Sequence, residues 1–167
     1  MKRSPSLVLL AALVIGLIGC DHATKHLAET ELRGRPPTSL IARVLDLQYT
    51  QNHDVGFSLL RKIPEKTRVP LIFAGGAAGL LLVSLLWRRR RKEGATWLEQ
   101  LAYATILAGA LGNLSDRLLR GYVVDFVYLH HWPVFNLADA YLVIGVALVF
   151  LSSRSRQDQP SEALRAA

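Results

Sequence analysis

Two aspartates in the C-terminal third of the chain, Asp125 and Asp139, are candidates for acid–base chemistry. They are 14 positions apart and flank a short turn with the sequence HHWP at residues 130–133. Two carboxyl groups that share a site cannot easily both ionise, so one keeps a proton while the other stays charged. Such a pair can activate water on a peptide carbonyl, as aspartic proteases do. The alternative is that each aspartate caps a helix or pairs with Arg117 or Arg120.

A polar stripe precedes the first of these aspartates. Its members recur at i, i+3, i+4 and i+7 and would share one face of a helix: Asn113, Asp116, Arg117 and Arg120. Gly109 and Gly112 come just before and would permit close approach of a neighbouring backbone. A surface ladder of side chains is the alternative explanation. Helix packing accounts for the glycines better than it accounts for a buried asparagine.

Other catalytic chemistries lack their required residues. The single cysteine, Cys20, cannot form an internal disulfide, and there is no C-x-x-C pair or Cys/His cluster for zinc. His22 and His26 have the i,i+4 spacing of a zinc pair, but Ala23 stands where H-E-x-x-H enzymes have glutamate. No G-x-S-x-G motif is present. These observations exclude zinc modules and serine or cysteine protease chemistry, and we expect both histidines to be interfacial polar residues.

Two further motifs have explanations other than catalysis. Gly75 and Gly79 form a G-x-x-x-G pattern, which predicts a helix–helix contact. The sequence LIGC at residues 17–20 is similar to a lipobox, the signal at which bacterial precursors are lipidated and cleaved before the cysteine. A lipoprotein lipidated at Cys20 is one hypothesis for the chain. Because three more apolar stretches follow, we expect Cys20 simply to end the first helix.

The elements that would position these residues are membrane helices. Hydrophobic residues make up 51% of the 167 residues, and a bilayer core needs about 20 apolar residues in helix. Residues 4–20 and 69–87 are uncharged for 17 and 19 positions, whereas 100–115 and 140–153 provide only 16 and 14. The two shorter stretches span a bilayer only if their polar ends are included. We predict an all-α polytopic fold with transmembrane helices at about 4–24, 68–87, 97–119 and 135–153.

The basic residues predict the orientation of these helices. The net charge is +7, and the run RRRRK at residues 88–92 supplies five of the 20 cations directly beside an apolar stretch. A juxtamembrane cluster of this kind favours the cytoplasmic side and does not indicate nucleic-acid binding. Both termini are then cytoplasmic. The short outer link that contains Asp125 and the start of the fourth helix with Asp139 lie at the outer leaflet.

The remaining segments complete one membrane-embedded domain at residues 1–153. Residues 45–50 alternate apolar and polar side chains, which predicts a strand with one covered face. We place a small outward-facing β element at about 40–60, lying on the membrane surface. The tail at residues 154–167 is polar and is predicted to be disordered.

In combination, the motifs resemble those of the bacterial lipoprotein signal peptidases, also called signal peptidase II. The matching segments occur in the family's order: DHATK at 21–25, NHDVGF at 52–57, GALGNLSDR at 109–117, GYVVDF at 121–126 and FNLAD at 135–139. The last three fall within 31 positions, which makes the resemblance highly specific.

The resemblance implies a four-helix membrane protease of the bacterial inner membrane with an outward β-cradle. Asp125 and Asp139 would be its catalytic pair. Eight further residues would support that pair or contact substrate: Asp21, Lys25, Asn52, Gly109, Asn113, Arg117, Asn136 and Ala138. The substrate would be a prolipoprotein that carries diacylglycerol on its lipobox cysteine, cut on the N-terminal side of that cysteine. No metal or cofactor is implied, and we expect a monomer in contact with membrane lipid.

The chain also departs from the family pattern. N-x-G-A-A-F is usual where this chain has NHDVGF, so Asp54 and Gly56 occupy the positions of a glycine and an alanine. The change adds a negative charge near the site and bears on cradle geometry and substrate range. A second hypothesis is therefore a non-catalytic four-helix protein that binds lipid-modified peptides without cleaving them.

Overall fold

The structure is a computed structural model that describes residues 5–53 and 63–165. Asp54 and Gly56 lie outside the described residues. Four helices are present in the described part: α1 (Leu7–Leu32), α2 (Glu65–Lys92), α3 (Trp97–Arg120) and α4 (Leu137–Arg165). Three strands accompany them: β1 (Thr38–Ile41), β2 (Leu45–Asn52) and β3 (Val123–Leu129).

Within the described residues, three segments are long and apolar enough to cross a membrane. They are Leu7–Leu32, Lys66–Lys92 and Leu137–Arg154, with mean hydropathies of 2.0, 2.2 and 1.6. The third predicted span, α3, is not among them. It is the central helix of the bundle and packs against α1, α2 and α4. Since neighbouring helices cover it, it can carry more polar residues than a helix that faces lipid.

Two helices are longer than predicted. α1 continues to Leu32, eight residues beyond the expected end, because residues 28–32 are mostly good helix formers. α4 continues to Arg165, so the backbone of residues 154–165 is helical where we predicted a disordered tail. That tail is also rich in good helix formers, namely arginine, glutamine, glutamate, alanine and leucine. The extension of α1 is important for the site because it places Asp21 and Lys25 within a regular helix.

Both ends of α3 are well defined by local hydrogen bonding. Thr96 and Glu99 form a capping box at the N-terminus, in which each side chain accepts from the other residue's backbone N–H. Gly121 ends the helix in the left-handed region at φ 80°, which costs a glycine nothing. The chain therefore turns sharply after α3 and enters β3 within two residues.

The strands form one antiparallel sheet in the order β1-β2-β3. The predicted β element corresponds to β1 and β2. Residues 123–129 lie in the predicted outer link but form a third strand, because five of the residues in VVDFVYL are β-branched or aromatic and favour a strand. Thr50 pairs with Asp125, and Asn52 pairs with Val123. The sheet thus brings Asn52 beside Asp125.

Glycines set the distance between α3 and α4. A Cβ on Gly145 would lie 2.9 Å from the Ala102 carbonyl oxygen, and one on Gly109 would collide with the carbonyl oxygen of Ala138. The prediction that Gly109 permits close approach of a neighbouring backbone is therefore confirmed. The G-x-x-x-G of α2 behaves differently, since a Cβ on Gly75 or Gly79 would meet no atom of the described residues within 4 Å. The prediction of a helix contact through these two glycines was therefore wrong.

We expect Gly145→Ala to destabilise the protein by about 1–3 kcal/mol, the usual cost of overpacking a close contact. The added methyl group would also meet Ile106 Cγ1 at 2.5 Å. Gly75→Ala is the matched control, because it adds the same methyl group to a helix where there is open space. Thermal unfolding in detergent should show a lower midpoint for Gly145→Ala and no loss for Gly75→Ala. Equal midpoints would contradict the packing described here.

Candidate active site

Asp139 is held at the start of α4 by a reciprocal pair of hydrogen bonds. The Asp139 backbone N–H donates to Asn136 Oδ1 at 3.1 Å, and the Asn136 N–H donates to Asp139 Oδ2 at 3.2 Å. This is the geometry of a capping box. The helix-capping alternative is therefore correct for one oxygen of Asp139. The other oxygen, Oδ1, points to α3 and accepts from Asn113 Nδ2 at 2.8 Å.

Two asparagines connect Asp139 to Asp125. Asn136 Nδ2 donates to Asp125 Oδ1 at 2.6 Å and also lies 3.2 Å from Asn113 Oδ1. Asn113 in turn donates to Asp139. Asp125, from the middle of β3, and Asp139, from the first turn of α4, thus share one hydrogen-bonded cluster. Neutral amides can orient both carboxyl groups without adding charge.

The two carboxyl groups have different environments. Asp125 is only 2% exposed, whereas Asp139 is half-buried. Burial is the largest influence and raises the pKa of Asp125, hydrogen bonds from Asn52 and Asn136 lower it, and the nearby charge of Asp139 raises it; the net result is a pKa of about 6. Asn52 Nδ2 donates to Asp125 Oδ2 at 2.8 Å. A carboxyl group with a raised pKa beside a more accessible one is the arrangement expected of an acid and a base.

A buried ionic cluster lies directly behind the pair. Lys25 Nζ is 2.7 Å from Asp21 Oδ2, 3.0 Å from Asp116 Oδ2 and 3.1 Å from Asn113 Oδ1. The side chains of Lys25, Asp21 and Asp116 are fully buried. Lys25 therefore pairs with two carboxylates and fixes the side-chain amide of Asn113, which donates to Asp139.

The same ionic cluster also positions the backbone around both aspartates. Asp21 Oδ1 accepts from the Ala138 N–H at 3.0 Å, and Asp116 Oδ2 accepts from the Val124 N–H at 3.4 Å. Ala138 and Val124 are the immediate neighbours of Asp139 and Asp125. A Cβ on Gly112 would lie 2.7 Å from Asp21 Oδ2, so this position leaves room only for glycine.

The two arginines of the polar stripe have separate contacts. Arg117 Nη1 donates to the Asn113 carbonyl oxygen at 3.0 Å, and its charge interacts with Asp125 and Asp139. Arg120 faces Asp116 at 3.7 Å and Glu29 at 3.4 Å. All ten predicted site residues are thus placed within one region, with Gly109 and Ala138 contributing backbone packing. Sequence reasoning missed β3 and the contacts of Asp116.

An apolar cavity of about 150 Å³ adjoins the cluster. It is lined by Phe126, Val127, Phe135 and Leu137, and it reaches the bridging Asn136. A nonpolar group could therefore lie beside the carboxyl pair. Among the described residues, no group of three His, Cys, Asp or Glu side chains is arranged to hold a metal ion.

Two solved structures share this fold. Both are described as bacterial membrane enzymes determined by the in meso method. The first, at 2.3 Å resolution, has a TM-score of 0.76 and 22% identity and covers 95% of each chain. The second, at 1.9 Å, has a TM-score of 0.75 and 24% identity, covering 91% of this chain and 96% of that chain. At these identities the likeness establishes the fold alone.

Sequence comparisons identify the family. A lipoprotein signal peptidase from Dichelobacter nodosus is 36% identical over 142 residues, or 82% of this chain and 88% of that protein. Another from Sinorhizobium fredii is 37% identical over 146 residues, or 85% and 84%. The family model described as signal peptidase (SPase) II matches residues 13–154. With three helices able to span a bilayer, the chain is an integral membrane protein, and it belongs to the signal peptidase II family.

Proposed function

We propose that this protein is an aspartic lipoprotein signal peptidase. It removes the signal peptide from diacylglyceryl-modified prolipoproteins on the N-terminal side of the lipidated cysteine. The observation that carries the proposal is the hydrogen-bonded cluster in which Asn113 and Asn136 join Asp125 to Asp139. Membership of the signal peptidase II family supports the substrate class.

The different environments of the two carboxyl groups suggest their roles. Asp125, with its pKa raised to about 6, carries the proton of the resting pair. Asp139 takes a proton from water as the water oxygen attacks the peptide carbonyl carbon, and Asp125 gives its proton to the carbonyl oxygen. When the C–N bond breaks, the amine nitrogen receives the proton held by Asp139. The hydroxyl proton then returns to Asp125, and the pair again holds one proton.

The proposal places this chemistry at the outer leaflet of the bacterial inner membrane. Both termini and the basic run at residues 88–92 are then cytoplasmic. In this arrangement α3 also spans the membrane, in addition to α1, α2 and α4, since its 24 residues correspond to about 36 Å of helix. Because α3 packs against three other helices, it can span the bilayer with a lower hydropathy than a helix that faces lipid.

The substrate's position follows from the nonpolar surfaces around the pair. The diacylglyceryl chains remain in lipid beside the exposed apolar side chains of the spanning helices. The cavity beside Asn136 is apolar and of side-chain size, which suits a nonpolar residue next to the scissile bond. We propose that one protomer is sufficient, because every residue of the cluster comes from a single chain.

The test is cleavage of a defined precursor by the purified protein in detergent. A diacylglyceryl-modified prolipoprotein should be cut so that the lipidated cysteine becomes the new N-terminus, as read by mass spectrometry. The same precursor without the lipid is the control and should remain uncut. Binding of the modified precursor without any cleavage would support the non-catalytic alternative.

The pH dependence of kcat/KM should report the proton on the carboxyl pair. As the pH rises through about 6, Asp125 loses the proton that it must donate to the carbonyl oxygen, so kcat/KM should fall. The Asn52 hydrogen bond stabilises the ionised form, and Asn52→Ala should therefore move this fall to higher pH. Gln51→Ala, one position earlier on β2, is the control. A fall at the same pH in Asn52→Ala as in wild type would contradict the assignment to Asp125.

A further inference from the structure

His22 and Ser115 form an interhelical contact next to the ionic cluster. His22 Nε2 lies 2.8 Å from Ser115 Oγ, which joins α1 to α3. The Ser115 hydroxyl also lies 2.8 Å from the Gly112 carbonyl oxygen and can donate to either acceptor. The His22 side chain is 31% exposed, whereas the neighbouring Asp116 side chain is fully buried.

The other nitrogen of the ring faces a buried carboxylate oxygen. Asp116 Oδ1 is buried and accepts no hydrogen bond from the described residues. His22 Nδ1 lies 3.6 Å from this oxygen, and Arg120 Nε lies 3.7 Å away. A bare Nδ1 would set a lone pair against a carboxylate, whereas an N–H there would stabilise it. The neutral ring satisfies both neighbours when Nδ1 carries the proton and Nε2 accepts from Ser115.

Asp116 connects this contact to both carboxyl groups of the candidate site. Its Oδ2 lies 3.0 Å from Lys25, which fixes Asn113 and through it Asp139. The same oxygen accepts from the Val124 N–H, the peptide next to Asp125. A displacement of Asp116 would therefore reach both members of the pair.

We propose that His22 and Ser115 are positioning residues for the peptidase chemistry. His22 is held by Ser115 with Nδ1–H directed at Asp116, and it thereby fixes the carboxylate on which Lys25 and Val124 depend. The effect on catalysis rests on the proposed function, but the proton position in His22 does not. Neither His22 nor Ser115 is among the ten predicted site residues.

Serine, histidine and aspartate in this order can also activate a serine nucleophile. The present arrangement differs because Asp116 is already paired with Lys25 at 3.0 Å. Covalent labelling of Ser115 by a fluorophosphonate reagent would overturn the positioning role. We expect no labelling.

The first experiment reads the proton position directly. Protein with ¹⁵N-labelled histidine would be examined by NMR in detergent at pH 8, with the signals assigned by loss in His22→Gln and His26→Gln. We expect His22 to have a proton on Nδ1 and a bare Nε2, and Ser115→Ala to reduce that preference. The exposed His26 is the internal control. A bare Nδ1 in wild-type His22 would overturn the proposal, whether or not the protein cleaves precursors.

The second experiment measures kcat and KM for two amide variants at position 22. The asparagine amide nitrogen can replace Nδ1–H, whereas the longer glutamine amide reaches the position of Nε2. His22→Asn should keep kcat near wild type, and His22→Gln should lose about tenfold, or about 1.4 kcal/mol of barrier, with little change in KM. His26→Gln should match wild type. Equal kcat in both variants, or the reverse order, would overturn the positioning role.

Discussion

Lys25→Met is expected to destabilise the protein by about 3–5 kcal/mol, the usual effect of removing one partner from a buried ion pair. Lys25 is fully buried between Asp21 and Asp116, at 2.7 Å and 3.0 Å. Methionine fills a similar volume but removes the cation that lies between the two buried carboxylates. The midpoint of thermal unfolding in detergent should fall by roughly 10 °C for a protein of this size.

Two further variants separate the loss of charge from the loss of a side chain. Lys66→Met makes the same replacement at an exposed position of α2 and should leave the midpoint unchanged. Adding Asp21→Asn to Lys25→Met removes one of the unpaired charges and should recover part of the stability. If Lys25→Met and Lys66→Met unfolded at the same temperature, the buried ionic cluster would not have the role assigned to it.

Much of the fold could be predicted from the sequence because apolar runs and basic clusters act locally. The helices α1 and α2 follow from uncharged stretches of 17 and 19 residues, and the alternating pattern at residues 45–50 predicts β2. Asp125, Asp139 and their supporting residues were identified from motif resemblance. Their convergence on one cluster is a tertiary property, since Asn113 and Asn136 are 23 positions apart.

The features that were missed depend on long-range partners. The composition of β3 favours a strand, but its pairing with the antiparallel strand β2 is contained in no short window of sequence. The glycines of α2 matched a packing motif, yet only Gly76 approaches α3, with Leu114 3.6 Å from its added Cβ. The sequence predicts only an interfacial polar residue at His22, because its partners Ser115 and Asp116 lie more than 90 positions away in the chain.

Asp125→Asn and Asp139→Asn are each expected to lower kcat roughly 10³-fold or more. An amide at position 125 cannot supply the proton for the carbonyl oxygen, and an amide at position 139 cannot take one from water. Both substitutions keep the size of the side chain and one of its two accepting oxygens. Asparagine at 125 also removes a group that is costly to ionise while buried, so the fold should survive.

Asp46→Asn is the matched control for these two variants. Asp46 is an aspartate of the same sheet, paired with His130 at 2.8 Å and remote from the hydrogen-bonded cluster. It makes the same isosteric change without touching Asp125 or Asp139. Unfolding midpoints close to wild type for all three proteins would show that a lost activity is not a lost fold.

The most direct test of the account is single-turnover cleavage of a diacylglyceryl-modified precursor by wild type, Asp125→Asn, Asp139→Asn and Asp46→Asn in ¹⁸O water. Wild type and Asp46→Asn should release a signal peptide whose new carboxylate contains one ¹⁸O atom, because water is the nucleophile that the pair activates. The two variants of the pair should release none over the same time. Full cleavage by Asp125→Asn or Asp139→Asn, or a wild-type first turnover without ¹⁸O, would contradict the assignment of Asp125 and Asp139 as the pair that activates water.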